Sequence, residues 1–167
     1  KRVEVPLKPY QKDIGKYVMM PAMARKRHLI VEDRMKRLAS FAENTELNRI
    51  EWGSKKVGVI TSGICYQYSK EVFGDASYLK LGMVHPLPEK LITEFASKVE
   101  TIYVIEELDP FIEEFLKQKG ISCIGKEKLP VTGEYSANLL RKEIFGIKED
   151  STVELKENIP VRPPVLC

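Results

Sequence analysis

Between Lys55 and Ile124, four short runs rich in β-branched residues alternate with stretches whose apolar residues recur at helical spacing. The runs are Val57–Thr61, Tyr78–Leu81, Ile102–Ile105 and Ile121–Ile124. This alternation constrains the fold more than any other feature of the chain. Parallel strands need crossovers, and amphipathic helices supply them while burying one face on the sheet. Crossovers of this kind are right-handed. The expectation is an α/β domain with helices packed on a mostly parallel sheet.

The punctuation between the runs fits that reading. The first run leaves through Thr61-Ser62-Gly63, and a helix is expected from about Ile64 to Phe73, stopped by Gly74. The second run passes through Gly82 to Pro88 into a helix with Leu91, Ile92, Phe95 and Ala96 on one face. Pro88 suits a first helical position. The third run ends in Glu106-Glu107, and Asp109-Pro110 predicts a helix start with an N-cap carboxylate and proline at N1. Gly120 ends that helix. A last helix is expected from about Ser136 to Phe145, with Gly146 as its stop, and Val153–Leu155 reads as a short edge strand.

Upstream, Pro6 and Pro9 predict an extended start. Residues 13–24 are apolar and rich in methionine, and Pro21 is expected to interrupt any helix there, because a residue before proline avoids the helical region. A helix is predicted from Leu29 to Glu43, with Met35, Leu38, Ala39 and Ala42 in one stripe. Asn44–Gly53, with the single Trp52, reads as a connection. The domain organisation expected is therefore a basic extended and helical arm over 1–53, an α/β sandwich over 54–158, and a linker over 159–167 to a following domain. The chain starts at Lys1 without methionine and stops just after Arg162-Pro163-Pro164, so we expect it to be a piece of a longer protein.

Charge is uneven along the 167 residues. Residues 1–50 carry 12 Lys/Arg against 6 Asp/Glu, and the remainder carries 15 against 18. The basic residues are interleaved with acids and lack aromatic neighbours for stacking, so nucleic acid is not an expected partner. No apolar run reaches the ~18 residues of a membrane span, and no membrane partner is expected. Cys65, Cys123 and Cys167 share no Cys-x-x-Cys spacing. That pattern disfavours a disulfide framework or a zinc site and fits a reducing cytoplasm.

Few residues read as chemical groups. Thr61-Ser62-Gly63 sits where a doubly wound sheet can bind phosphate, but no glycine-rich fingerprint accompanies it, and a plain turn is the simpler reading. Glu106 and Glu107 could act as acid and base. Neighbours at a strand end point to opposite faces, however, so at most one reaches a crevice. A hydrogen-bonding role near the helix start is the simpler reading. His85 stands among prolines and His28 in the run Arg25-Lys26-Arg27-His28; neither has a partner at metal-ligand spacing. No catalytic residue and no metal site is expected, and the crevice candidates are Thr61, Ser62, Gly63, His85 and Glu107.

The string Leu81-Gly82-Met83-Val84-His85-Pro86-Leu87-Pro88, a helix, and then Tyr103-Val104-Ile105-Glu106-Glu107 resembles the C-terminal domain of transketolase-like thiamine enzymes. The fuller string VIEELDPFIEEFLKQKG, with PAMARKRH before it and PVTGEYS after it, is similar to the α subunits of indolepyruvate:ferredoxin oxidoreductases. The resemblance runs from about Tyr17 to Cys167. It implies a three-layer α/β/α sandwich with a five-stranded, mostly parallel sheet and one antiparallel strand. It also implies a parent enzyme that oxidatively decarboxylates aryl pyruvates to acyl-CoA with ferredoxin as electron acceptor. That parent would use thiamine diphosphate with Mg2+ and 4Fe-4S clusters, neighbouring thiamine-binding domains in the same chain, and a β subunit. The Gly-Asp-Gly…Asn thiamine motif and the iron–sulfur cysteine runs of that family are absent from this sequence. This segment is accordingly expected to hold no cofactor and to act as a structural and interface domain. The alternatives are a free-standing flavodoxin-like or nucleotide-binding module, and a ferredoxin-docking domain acting through the basic arm.

Overall fold

The structure of the protein, a computed structural model, describes residues 3–148. Four strands form one sheet: β1 (Arg49–Glu51), β2 (Ser54–Ser62), β3 (Ala76–Leu81) and β4 (Thr101–Ile105), in spatial order β1-β3-β2-β4. β2 pairs in parallel with β3 and with β4, while β1 lies antiparallel on β3 with Ile50 opposite Leu79. Six helices accompany them among the described residues: α1 (Ile14–Tyr17), α2 (Pro21–Asn44), α3 (Cys65–Phe73), α4 (Glu89–Ala96), α5 (Phe111–Gln118) and α6 (Ala137–Phe145).

Strand residues alternate between two cores, as a pleated sheet with both faces covered requires. Val59, Tyr78 and Ile105 point to one side, where Cys65, Tyr66, Leu140 and Ile144 of α3 and α6 cover them. Ile60, Leu79, Leu81, Ile102 and Val104 point to the other, against Ile92 and Phe95 of α4 and Ile112 and Leu116 of α5. The expected three-layer α/β/α arrangement is present. Burial of each such side chain contributes about 1.5–3 kcal/mol. Gly58 lets β2 pass close to α4, since a Cβ there would strike Phe95 and Val99.

The sheet has four strands among the described residues, where five were expected. The run Ile121–Ile124 meets β4 only through an isolated parallel bridge between Tyr103 and Ile124. The Ile121 amide donates instead to the Leu116 carbonyl of α5 at 2.9 Å, holding the run's start on the helix. Only Ile124 then lies alongside β4, accepting from the Val104 amide and donating to the Ile102 carbonyl, both at 2.8 Å. The antiparallel strand, β1, lies within the stretch expected to be a connection. Val153–Leu155 and the expected linker over 159–167 fall outside the described residues.

Pro21 begins α2 rather than breaking it, so the helix starts eight residues before the expected Leu29. Proline lacks the amide that a first turn cannot pair and is set at a helical φ, so the same residue that ends one element can open the next. The far end of α2 is tied to the sandwich through backbone. Both Glu43 oxygens accept amides at the start of α4, Lys90 at 2.9 Å and Leu91 at 3.0 Å, where Pro88 offers no side-chain cap. Buried Asn48 bridges the same region, donating to the Ala42 carbonyl and accepting from the amides of Gly82 and Met83. No helix among the described residues is long and apolar enough to cross a membrane.

Candidate functional site

The crossover from β2 runs to β3 on one side, and the next runs to β4 on the other. A reversal of this kind opens a crevice beyond the C-terminal ends of the two diverging strands. Here the crevice has a volume of about 290 Å³. Ser62, Gly63, Ile64 and Cys65 line it from the end of β2, and Glu106, Glu107 and Asp109 from the end of β4. Gly63 takes a left-handed φ of 55° that turns β2 into α3.

Two of the three carboxylates lining this crevice, Glu106 and Glu107, are already engaged. Glu106 is buried and caps α5: its Oε2 accepts the Ile112 amide at 2.8 Å and its Oε1 the Glu113 amide at 2.9 Å. The cap thus comes from the strand end and not from Asp109, which precedes the helix but makes no side-chain bond to it. Burial raises the Glu106 carboxyl above its ordinary value, opposed by those two amides. Glu107 Oε1 accepts the Tyr135 amide at 2.7 Å, fixing the loop that leads to α6. Both residues line the crevice, where at most one was expected, and their carboxylates diverge there, one to the helix and one to the loop.

A half-buried polar knot stands behind it. Lys126 Nζ donates to the Glu106 carbonyl and to Tyr135 Oη at 2.7 Å, and Tyr135 Oη donates to the Pro130 carbonyl at 2.7 Å. Buried Glu113 accepts the Lys126 amide at 2.8 Å and the Lys117 ammonium at 2.6 Å. Burial lowers Lys126, and it pushes Tyr135 up to about 12. It pushes the Cys65 thiol up to about 11, with nearby Glu107 adding to the rise. Thiol and phenol are therefore neutral at physiological pH, and the carboxylates are hydrogen-bond acceptors for backbone amides. The arrangement holds α5 and the loop 125–136 on the sheet.

Of the crevice candidates, Ser62, Gly63 and Glu107 come together. Thr61 is fully buried one residue earlier, its Oγ1 donating to the Ile105 carbonyl at 2.7 Å, which links β2 to β4. His85 is exposed and precedes the cis-proline Pro86. It belongs to a second, larger cleft of about 900 Å³ between α2, α4 and α5, lined also by Leu87, Phe111 and Phe115. Sequence reasoning missed this cleft and the role of Glu43 beside it. The signal available was the pair of prolines around Leu87, which keeps that stretch off the sheet.

The crevice does not suit a diphosphate. The first amides of α3 favour an anion, but three carboxylates line the same small space. Nor do the described cysteines suit an iron–sulfur cluster: Cys65 lies in the core under α3 and α6, and Cys123 packs on the opposite face. No group of three or more His, Cys, Asp or Glu among the described residues is placed to hold a metal ion.

No protein-family model matches the chain. It is 33% identical over 168 residues to indolepyruvate oxidoreductase subunit IorA of Archaeoglobus fulgidus, covering 90% of this chain and 27% of that protein. It is 35% identical over 175 residues to the subunit of the same name from Methanothermobacter thermautotrophicus, covering 95% of this chain and 28% of that protein. The IorA of Thermococcus kodakarensis is 30% identical over the same shares. The chain thus spans a little over a quarter of the length of the curated relatives it matches. Among solved structures, a 2-oxoglutarate:ferredoxin oxidoreductase from Magnetococcus marinus shares the fold, with a TM-score of 0.53 and 14% identity over 77% of this chain and 24% of that one.

Proposed function

Because this chain is homologous, over nearly its whole length, to part of the indolepyruvate oxidoreductase subunits IorA, we propose that it is an interface domain of a 2-oxoacid:ferredoxin oxidoreductase. The observation that carries the reading is the engagement of Glu106 and Glu107 with backbone amides. The end of β4, where an α/β enzyme would place its reacting groups, is used here to fix a helix and a loop. Those elements then present rigid surfaces to neighbouring domains.

On this reading the parent enzyme oxidatively decarboxylates an aryl pyruvate such as indolepyruvate, forms the acyl-CoA and passes electrons to ferredoxin. Thiamine diphosphate with Mg2+ and the 4Fe-4S clusters sit on other segments of the polypeptide, beside a β subunit, in the cytoplasm. This domain keeps the thiamine-binding domains in register.

The test is Glu107→Ala in the full-length enzyme with its partner subunit. Assembly should fall, as seen in the fraction recovered as complex, while the complex that does form turns over at close to the wild-type rate. Intact assembly with a large loss of rate would overturn the reading.

A further inference from the structure

One segment walls both cavities. Residues 82–91 carry the chain from β3 into the first turn of α4, with Val84 on the crevice and His85, Pro86 and Leu87 on the cleft. Residues 83–88 belong to neither strand nor helix, so their order depends on what holds the two ends. Both ends are held from the last turn of α2 and the turn that follows it. Asn48 Oδ1 accepts the amides of Gly82 at 3.0 Å and Met83 at 2.9 Å, and the Leu47 carbonyl also accepts Gly82 at 3.0 Å. At the other end the two Glu43 oxygens accept the amides of Lys90 and Leu91. Asn48 Nδ2 donates to the Ala42 carbonyl at 2.9 Å, which ties both holds to the helix.

The segment's other attachments are weaker or less directional. Glu89 pairs with Lys119 of α5 at 2.8 Å, but both side chains are exposed, and such a pair contributes little. Leu87 and Leu91 are only partly buried against the core, and apolar contact fixes no direction. The approach to α2 is close as well: a Cβ on Gly82 would meet the Leu47 carbonyl oxygen at 2.5 Å. The helix, for its part, is anchored at this same end. Ala42 is its one buried residue, and most of residues 21–34 are exposed.

We propose that α2 and residues 82–91 form one cooperative unit, distinct from the sheet, through which the state of the helix sets the wall shared by the crevice and the cleft. If the last turn of α2 unwinds, Glu43 leaves the start of α4 and Asn48 loses the carbonyl that orients its amide. The amides of Gly82, Met83, Lys90 and Leu91 then lose their acceptors in one event. Contiguous units of this kind open at a lower free energy than the whole fold. The consequence for a larger enzyme rests on the function proposed above: a neighbouring domain that grips α2 acts on both cavities without touching either.

The experiment is native-state hydrogen exchange on the purified chain, read amide by amide by NMR. Lys36 is exposed on α2 and lies roughly 10 Å along the helix from Glu43. Lys36→Gly weakens the helix without touching residues 82–91. The amides of Gly82, Met83, Lys90 and Leu91 should then exchange about fivefold faster, in step with residues 40–44, while Ile60 and Leu79 in the sheet keep the wild-type rate. Lys36→Ala, which keeps helix propensity, should change none of them. In a Glu43→Ala background, Lys36→Gly should no longer affect Lys90 and Leu91 but should still affect Gly82 and Met83. Amides of 82–91 that stay at the wild-type rate in Lys36→Gly would overturn the proposal. So would a rise shared by Ile60 and Leu79, which would make α2 part of the global unfolding unit. Neither result bears on the assembly of Glu107→Ala, so the coupling and the interface reading fail separately.

Discussion

Glu106 Oε2 accepts the amide of Ile112 at 2.8 Å, so a residue that ends a strand also starts the following helix. The bond spans six residues and closes the β4–α5 turn around Leu108. It makes the strand and the helix one unit, since moving either breaks the bonds of a buried carboxyl. Glu106→Ala should cost about 2–4 kcal/mol, more than an exposed cap, because two buried amides lose their acceptor. Glu106→Gln should cost less, since one amide can keep a carbonyl oxygen. Urea unfolding of the three chains gives the order, and equal midpoints for Ala and Gln would refute this account.

Glu43 does for α4 what Glu106 does for α5, but from a helix remote in sequence. Glu43→Ala should destabilise the chain by about 1–2 kcal/mol. It should also speed hydrogen exchange at the Lys90 and Leu91 amides, which face Glu43 at 2.9 and 3.0 Å. Exchange at those two amides unchanged from wild type would count against the cap.

Glu51 offers a pH test. Burial acts to raise its carboxyl, but Tyr66, Arg49 and Lys70 together hold it down at about 2. Tyr66 Oη lies 2.7 and 2.8 Å from its two oxygens. A carboxyl held below its unfolded value stabilises the fold above that value, near 4.5, and loses the contribution as pH falls through about 2. Glu51→Gln should therefore be less stable than wild type at neutral pH by about 1 kcal/mol, because the group is partly exposed. The gap should close between those two pH values. A gap that stayed constant down to pH 2 would show that the carboxylate's charge is not responsible.

The buried thiol of Cys65 and the half-buried thiol of Cys123 should be slow to react. With Cys167 replaced by serine, Cys65 and Cys123 remain, both pushed up to about 11 chiefly by burial. Labelling with a disulfide reagent near pH 8 should run roughly a hundredfold slower than a free thiol. Fast labelling of either residue would show that the core opens locally.

Much of the fold could be read from the residues because strand runs and helix faces carry their own periodicity. The three strands β2, β3 and β4 and the four helices packed on them are all paired with a run or stripe visible in the sequence. The misses share a cause. β1 is Arg49-Ile50-Glu51, with one apolar side chain, and its strand state comes from pairing with β3, which no local pattern encodes. Ile121–Ile124 has the composition of a strand, but its start is held by α5. At the crevice, Ser62, Gly63 and Glu107 were legible because topology places strand ends together. The acceptor roles of Glu43 and Glu106 depend on which amides arrive beside them, and that is decided by packing.

β1 also bears on how the molecule behaves when crowded. A parallel sheet ending at β3 would offer a six-residue row of free backbone groups to any passing strand. β1 covers half of that row, and at three residues it is too short to template a ladder of its own. Its Arg49 and Glu51 are joined by a 2.9 Å ion pair, so an incoming chain would meet charge before backbone. The consequence is protection against fibre growth at this edge. Deleting β1 should leave a sheet that folds and then aggregates.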